Sequence, residues 1–400
     1  MANRIIVTDV DMTDDNILFV TRRALPQTIA GLVAGTWYTL NTAMSGPITV
    51  AAAPPPPGQL RTPLTSASNH VHSGHSLTDD YAAWHRNMRE LLVSIGVTAP
   101  YETMKNSLMP GSSIMARWEH EFDVASINTD ARRNIVEFDT LMITESLPVP
   151  RFAHPDEDVD HQRRTLDYLC RFVANTIVNG GGNDVILWSI WPDIHGPGAS
   201  ATQPASPLWS EFAFRTGLPE HGRIFKYMAD YTTWKMKQLY PSLPDNWRAW
   251  VFPGHLFMQH LYDDIIAGVA PGYTVVEDIF SDDIHAADPT SYGLTCLVTT
   301  LLYGFDLEAL DAVNPGSVFI PEYATRAQAE YFWALANRIA AEYEPAGRGG
   351  TVGGEAALCG IGNQHREHNG GQVQPGRPCG RRNRGRPASR PRPVQGGHHP

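Results

Sequence analysis

Several features that mark specialised protein classes are scarce in this sequence of 400 residues. It holds only four cysteines, Cys170, Cys296, Cys359 and Cys379. Their spacing matches neither a disulfide framework nor a metal-binding motif, so free thiols are expected. No run approaches the roughly 18 consecutive apolar residues of a membrane-spanning helix, so no span is expected. The first residues lack the apolar segment of a signal peptide, so export by the ordinary signal route is not expected either.

Positive charge is scarce in most of the chain. The formal net charge is −11, yet residues 346–400 hold nine arginines and only two glutamates. This leaves 22 basic and 40 acidic residues in residues 1–345, a net charge of −18. An acidic body argues against nucleic acid and anionic membranes as partners. Neutral substrates suit it better.

The C-terminal residues 346–400 contain no lysine and no Phe, Trp or Tyr, and they are rich in Gly, Pro and Arg. Such a segment cannot bury enough apolar surface to fold, so we predict a disordered tail. Because Arg, Gly and Pro share GC-rich codons, a shifted reading frame is the favoured explanation of its composition. A basic tail that binds an acidic surface is the alternative.

The N-terminal residues 1–53 have the pattern of a small β module, with short apolar segments separated by Asp, Gly, Pro and Asn. The stretch 31–38 resembles the turn before a late strand of fibronectin type III domains, although such a sandwich needs about 100 residues. A binding module and an extension without a binding role both remain open. Four consecutive prolines then predict a stiff linker over residues 54–64.

Residues 65–345 alternate between helical and strand patterns. This alternation predicts an α/β domain with a parallel sheet that helices cover on both faces. Strands are expected at 69–72, 103–108, 139–145, 184–191, 247–252 and 273–276, and helices at 80–95, 114–120, 156–179, 219–239, 256–267 and 326–344. Residues just past the carboxyl ends of the strands would share the edge where such sheets place their ligands.

A serine, Ser76, follows the first predicted strand. That strand breaks at Ser73 and Gly74, and a helix is expected to begin near Thr78 with carboxylates in its first turn. A serine between such a strand and helix is held out of the sheet, beside free backbone N–H groups. This is the geometry that a nucleophile needs when it attacks a carbonyl.

An acid and a base stand about two hundred residues further along the chain, at Asp282 and His285. Two residues between them let one loop present both side chains, so the carboxylate can hold the imidazole Nδ1–H. The other ring nitrogen, Nε2, is then free to take the serine proton. Asp283 is the alternative acid, but its spacing is less suitable.

These two segments resemble a known family. Gly74-His75-Ser76-Leu77 is similar to the first block of the SGNH (GDSL-type) hydrolases, and Asp282-x-x-His285 to their last block. The stretch 252–272 resembles the lead-in of carbohydrate-esterase-like members, and the resemblance covers residues 65–305. It implies a three-layer α/β/α, flavodoxin-like fold. It also implies a Ser-His-Asp esterase that needs no cofactor and removes O-acetyl groups from a polysaccharide.

The resemblance assigns further residues, with one departure. Gly111 fits the second block, whose N–H would join that of Ser76 in the oxyanion hole. The third block normally places an asparagine after a strand, but the strand 139–145 has none. A literal Gly-x-Asn-Asp match at 181–184 precedes a strand and is interpreted as an ordinary turn. We expect Glu145 to bind a substrate hydroxyl or to anchor a neighbour.

The remaining candidates are aromatic. His75 is expected to line the pocket, and Trp191, which leaves a strand end, to form a wall for a sugar ring, although tryptophans on buried strands usually belong to the core. His70, His72 and His75 are an alternative metal-ligand set, since the first two share one strand face. No nearby carboxylate pair has ligand spacing, so no metal is expected.

Two other functions remain open. A catalytically weak, glycan-binding protein on a surface or a phage-like particle is favoured by the missing asparagine, and the Ser, Asp and His set opposes it. Metal-dependent hydrolysis through the histidines is the third hypothesis.

Overall fold

The structure is a computed structural model of the whole chain. It describes residues 61–65, 68–78, 84–97, 103–119, 129–146, 155–180, 184–192, 194, 211–282 and 284–347. The predicted β module, the linker up to residue 60 and the tail after residue 347 lie outside the described residues.

A five-stranded parallel sheet forms the centre of the domain, with the strand order β2-β1-β3-β4-β5. The strands are β1 His70–Gly74, β2 Met104–Leu108, β3 Thr140–Ile143, β4 Asp184–Ser189 and β5 Trp250–Pro253. Every residue of β1, β3 and β5 is buried, as expected for a sheet covered on both faces. The predicted α/β class and the flavodoxin-like strand order are confirmed.

Helices cover both faces of this sheet. Their bounds are α1 Trp84–Ser94, α2 Ile114–Glu119, α3 Ala131–Asn134, α4 Pro155–Asn179, α5 Glu211–Leu239, α6 Gly254–Ile266, α7 Asp288–Tyr303, α8 Leu307–Val313 and α9 Arg326–Glu342. Helices α1, α6, α7 and α9 form one packed group and α2, α4 and α5 another, and α5 also packs against α6. Within the described part of the chain no single helix is both long and apolar enough to cross a membrane; the bent pair α7 and α8 passes by length and composition only.

Two predicted elements differ from the structure. The strand expected at 273–276 is wrong, because a 3-10 helix, Val276–Ile279, begins there. The Asp278 carboxylate accepts hydrogen bonds from the N–H groups of Thr274 and Val275, which are then not free to pair with a strand. Helix α5 begins at Glu211, so Pro219, the predicted first residue, stands inside it.

The strand order places a crevice between β1 and β3. From β1 the chain crosses to β2 on one side and then returns to β3 on the other, so the direction of winding reverses between β1 and β3. Open α/β sheets bind ligands outside the carboxyl ends of the strands at such a switch point. We call this side of the sheet the carboxyl edge and the opposite side the amino edge.

The first described residues, 61–65, pack on the domain. The N–H of Arg61 donates to the carbonyl of Gly347 at 2.6 Å, and that of Leu64 to the carbonyl of Leu302 at 2.8 Å. The buried Arg61 guanidinium forms an ion pair with Asp184 at 2.8 Å. The bond from Arg61 to Gly347 joins the two ends of the described chain, and the ion pair fixes them at the amino edge, because Asp184 begins β4.

Candidate functional site

Ser76 lies at the carboxyl edge, two residues past the break predicted at Ser73 and Gly74, both of which belong to β1 in the structure. Strand β1 ends at Gly74, and a 3-10 helix begins at Ser76. A Cβ at Gly74 would lie 2.3 Å from Thr78 Oγ1, so this turn requires glycine. Ser76 is partly exposed between buried neighbours. No described residue forms a hydrogen bond with its hydroxyl or its backbone N–H, so both groups are available to a ligand.

His75 fixes this turn from within. Its Nδ1 accepts a hydrogen bond from the N–H of Leu77 at 3.4 Å, which assigns the proton to Nε2. Nε2 then donates to the carbonyl oxygen of Glu145 at 3.1 Å, across the crevice from β1 to β3. The residue is only 3% exposed. The structure thus gives the ring a positioning role, and a direct contact with substrate remains a prediction.

Gly111 lies in the turn that follows β2. The N–H of Met109 donates to the carbonyl of Gly74 at 3.1 Å, which ties this turn to the strand that precedes Ser76. Gly111 is exposed and has a φ of 67°, a conformation that favours glycine. Among the described residues none accepts a hydrogen bond from its N–H. The two N–H groups predicted for the oxyanion hole are therefore both unoccupied, on neighbouring turns.

The predicted acid and base form a closed pair. His285 Nδ1 and Asp282 Oδ2 lie 2.6 Å apart, and Asp282 Oδ1 accepts from the N–H groups of Ile284 at 2.9 Å and His285 at 2.7 Å. Desolvation raises the pKa of Asp282, but the His285 and Ile284 N–H groups and the imidazole outweigh it and hold the pKa below its ordinary value. With Nδ1–H donated to this carboxylate, Nε2 is the acceptor nitrogen. No described residue occupies it.

Trp191 connects this loop to the sheet. Two residues past the end of β4, its Nε1 donates to the carbonyl of Ile284 at 2.8 Å. Its side chain is fully buried, so the structure shows it as a support for the Asp282–His285 loop. A contact between this ring and a sugar remains a prediction.

The helices that follow the Ser76 turn and the Asp282–His285 loop pack against each other. Helix α7 begins three residues after His285 and packs against α1, the helix that follows Ser76. No hydrogen bond joins the Ser76 hydroxyl to His285. Such catalytic hydrogen bonds are often long before substrate binds and shorten in the complex.

Glu145 follows β3 and is buried, with 1% exposure. Its carboxylate accepts from the N–H of Ile114 at 3.3 Å and from the N–H of Ser146 at 2.6 Å. Ile114 is the first residue of α2, so the carboxylate satisfies a backbone donor at the start of that helix. Two roles were expected for Glu145, and these bonds correspond to the second, in which it anchors a neighbouring segment, here the start of α2. A contact with a substrate hydroxyl remains a prediction.

Arg117 is a residue of this region that the sequence did not reveal. It lies on α2 with no exposed surface. Its Nε donates to Ser73 Oγ at 3.0 Å, one terminal nitrogen donates to the carbonyl and hydroxyl of Ser112 at 2.9 and 3.0 Å, and the other donates to the carbonyl of Thr144. Desolvation lowers its pKa to about 10, partly offset by the Glu145 carboxylate, so the guanidinium stays charged at neutral pH.

One signal in the sequence could have identified Arg117. It stands three residues after Ile114 and one before Trp118, both of which are buried. Residues at this spacing share one face of a helix, so Arg117 belongs to the face that packs on the domain. A charged residue on such a face must be paired.

The two histidines of β1 are buried, and no described residues complete a metal site with them. Desolvation lowers the pKa of His70 to about 3 and that of His72 well below its ordinary value. In the described ranges no group of three or more His, Cys, Asp and Glu residues is arranged to hold a metal ion. The literal third-block match ends at Asp184 on the amino edge, while residues 181–183 lie outside the described residues.

Comparison with known proteins gives fold neighbours at low similarity. No family model matches the chain, and no curated protein matches it. A DUF4886 family protein from Bacteroides uniformis superimposes with a TM-score of 0.43 at 11% identity, over 68% of this chain and 94% of that one. The acetylxylan esterase Axe2 from Geobacillus stearothermophilus gives 0.38 at 14% identity, over 61% and 97%.

LAE5, an alpha/beta hydrolase enzyme from the metagenome of Lake Arreo in Spain, gives a TM-score of 0.36 at 13% identity, over 60% of this chain and 97% of that one. Overlap at this level carries no inference about chemistry.

Proposed function

We propose that this chain is a serine esterase in which Ser76, His285 and Asp282 perform acyl transfer, with O-acetyl groups on a carbohydrate as the substrate. The observation that carries the proposal is the Asp282–His285 pair. One carboxylate oxygen binds the imidazole Nδ1–H at 2.6 Å and the other binds two backbone N–H groups. This arrangement fixes both the tautomer and the ring orientation that a general base requires.

In the proposed mechanism, Ser76 Oγ attacks the ester carbonyl while His285 Nε2 takes its proton. The carbonyl oxygen becomes an oxyanion, which the N–H groups of Ser76 and Gly111 stabilise. The imidazolium, held by Asp282, then protonates the leaving alcohol and an acyl-enzyme forms. A water molecule, deprotonated by the same imidazole, attacks the acyl group and releases acetate and Ser76. No step needs a cofactor.

A neutral acetyl ester suits the charge of the chain. Residues 1–345 carry a net charge of −18, which disfavours anionic substrates. Arg117, the buried cation near the nucleophile turn, uses its three guanidinium nitrogens for protein acceptors. The resemblance of residues 252–272 to carbohydrate-esterase-like members favours a carbohydrate as the alcohol.

A second candidate function, a glycan-binding protein with weak catalysis, rests on the segment after β3. This segment, where the family has a donor asparagine, instead holds Glu145 and Ser146. The N–H and the hydroxyl of Ser146 both donate to the Glu145 carboxylate, at 2.6 and 3.2 Å. Ser146 therefore supplies no third donor to an oxyanion, and loss of one such donor costs about 100-fold or more in kcat.

The test compares hydrolysis of p-nitrophenyl acetate and p-nitrophenyl octanoate by the native chain, by Ser76→Ala and by Ser317→Ala. Ser317 is a matched control, because it is also partly exposed and its hydroxyl bonds to no described residue. The proposal expects acetate to be preferred, activity to fall about 1,000-fold or more in Ser76→Ala alone, and EDTA to have no effect. Equal activity of Ser76→Ala and the native chain would contradict it and favour glycan binding. Loss of activity with EDTA would favour the metal-dependent hypothesis.

A further inference from the structure

Three separate segments of the carboxyl edge meet at the guanidinium of Arg117. Its Nε binds Ser73, three residues before the nucleophile, and one terminal nitrogen binds Ser112, the residue after Gly111. The other terminal nitrogen binds the carbonyl of Thr144, at the end of β3. The side chain reaches these segments from α2, a fourth element.

We propose that Arg117 is a positioning residue that sets the separation of the two oxyanion donors, the N–H groups of Ser76 and Gly111. The inference rests on the proposed function and goes beyond it, since Arg117 belongs to none of the residues that touch the reacting atoms. It acts through Ser73 and Ser112, which neighbour the turns that carry these donors.

The shape of the guanidinium is the first reason. A planar group with nitrogens in fixed directions imposes one geometry on all of its acceptors. Two acceptors, Ser73 Oγ and Ser112 Oγ, neighbour the two turns in question: Ser73 lies on β1, which leads into the Ser76 turn, and Ser112 directly follows Gly111. Lysine has a single nitrogen on a flexible stem and would hold these acceptors without fixing the angle between them.

The second reason is that α2 itself is held by the same segment. Glu145 accepts from the N–H of Ile114 at the start of α2, and Arg117 on α2 donates back to the carbonyl of Thr144, the neighbour of Glu145. The nearby carboxylate also favours the charged form of the arginine. Helix α2 and the segment after β3 are therefore joined by hydrogen bonds in both directions. Movement of either would also displace Ser73 and Ser112, which bind the same guanidinium.

Positioning by Arg117 should affect the rate more in this site, which has two oxyanion donors, than in a site with three. The segment after β3 supplies no asparagine, and Ser146 spends both of its donors on Glu145. Stabilisation of the oxyanion then depends on two N–H groups on different turns. A displacement of about 1 Å in such a site can reduce the rate by about 100-fold.

The amino edge provides a matched control. Arg61 is also a buried arginine, and it binds the carbonyls of Leu301 and Leu302 and the carboxylate of Asp184. We would measure kcat, KM and the rate of Ser76 labelling by a fluorophosphonate for Arg117→Lys and Arg61→Lys, at a temperature where both variants are folded. The inference expects Arg117→Lys to lower kcat and the labelling rate by about 10- to 100-fold with KM within about threefold. Arg61→Lys should keep kcat within about threefold of the native value. Equal changes in kcat for the two variants would overturn the inference.

Ser73→Ala extends the test to the case in which Arg117→Lys does not fold. This small change removes the acceptor of Arg117 Nε and should lower kcat by about three- to tenfold, whereas an unchanged kcat would overturn the inference. Where Arg117→Lys does fold, the double variant should lose less than the product of the two single losses.

Failure of this inference is distinguishable from failure of the proposed function. If Ser76→Ala abolishes activity while Arg117→Lys behaves like Arg61→Lys, only the positioning role is overturned. If Ser76→Ala retains activity, the proposed function fails and the positioning role fails with it.

Discussion

A buried arginine lies at each edge of the sheet, and the two arginines bind different parts of the fold. Each donates to backbone carbonyls beside a carboxylate, Arg61 with Asp184 at the amino edge and Arg117 with Glu145 at the carboxyl edge. The Arg61 guanidinium binds two carbonyls in the last turn of α7, where a helix favours a cation. Through its own N–H, Arg61 also binds Gly347, so it holds the two ends of the described chain together. Arg117 instead binds Ser73 and Ser112, next to the turns that carry the proposed oxyanion donors.

Histidines show the same contrast. At the amino edge, neither ring nitrogen of the buried His70 forms a hydrogen bond with a described residue. At the carboxyl edge, both ring nitrogens of His75 bind backbone groups, and His285 is fixed by Asp282 through Nδ1. Side chains at the carboxyl edge are oriented by hydrogen bonds to specific partners, as a reacting site requires, whereas the imidazole of His70 is held by burial and by an edge-to-face contact with Tyr303.

The largest expected effect compares two histidines, one from each edge. His285→Gln removes the proposed general base and should lower kcat by about 1,000-fold or more while the protein stays folded. His70→Gln, at the amino edge, should leave kcat unchanged. Steady-state kinetics on p-nitrophenyl acetate, with circular dichroism as the folding control, measure both. Comparable kcat losses in the two variants would mean that the edges do not differ in function.

The next effect separates stability from activity at the amino edge. Arg61→Met leaves Asp184 at the start of β4 without its ion-pair partner, so the free energy of unfolding should fall by about 3 kcal/mol. Desolvation raises the pKa of Asp184 even with Arg61 beside it, so little solvent reaches the carboxylate to stabilise its charge once Arg61 is removed. Urea unfolding followed by fluorescence gives the value.

Lys226→Met is the control for that measurement. Lys226 forms an ion pair with Asp230 at 2.5 Å on the surface of α5, and its side chain is 47% exposed. Exposed pairs contribute about 0–1 kcal/mol, so this variant should unfold almost like the native chain. A loss for Arg61→Met no larger than for Lys226→Met would contradict the stabilising role proposed for Arg61.

Much of the fold and part of the candidate site could be predicted from the sequence, because these features depend on local spacing. The alternating pattern indicates the strands and helices, and the two-residue gap between Asp282 and His285 predicts a contact that one loop can make by itself. The break predicted at Ser73 and Gly74 likewise places Ser76 near a strand end. Each of these features lies within a few residues of chain, where local backbone geometry dominates.

Contacts between distant segments could not be predicted. Arg117 lies 44 residues from Ser73 and 27 from Thr144 in sequence, and no periodicity reports such pairings. Arg61 falls in a proline-rich stretch whose composition indicates a linker, yet it docks on the domain. Trp191 follows a strand end, a position from which a ring can face either substrate or core. Its partner, the carbonyl of Ile284, becomes evident only in the fold.

A smaller effect concerns pH and the buried histidines His70, His221 and His255. Desolvation lowers the pKa of each from 6.5 to about 3, with Arg89 and Arg61 adding to the effect at His70. Between these values the unfolded state binds more protons, so their contribution to stability is complete above pH 6.5 and is lost as the pH falls toward 3. At pH 5.5 each should cost about 1.4 kcal/mol of unfolding free energy.

Urea unfolding at pH 7.5 and 5.5 tests this linkage. His70→Gln removes one such group, so the variant should lose about 1.4 kcal/mol less than the native chain between the two pH values. An equal loss in both proteins would show that His70 does not contribute to the acid sensitivity.

The smallest effect tests whether the Gly111 turn does more than reverse the chain. Gly111 and Gly316 both have positive φ, 67° and 81°, and a Cβ at either would meet no atom within 4 Å. Alanine should therefore cost about 1 kcal/mol of unfolding free energy at each, since only the backbone conformation is strained. If the N–H of Gly111 stabilises the oxyanion, a shift of this turn should also lower kcat several-fold in Gly111→Ala, while Gly316→Ala keeps its kcat. Thermal unfolding together with kinetics on p-nitrophenyl acetate measures both quantities. Equal kcat in the two variants would leave Gly111 as a turn residue and remove one of the two donors on which the proposed site depends.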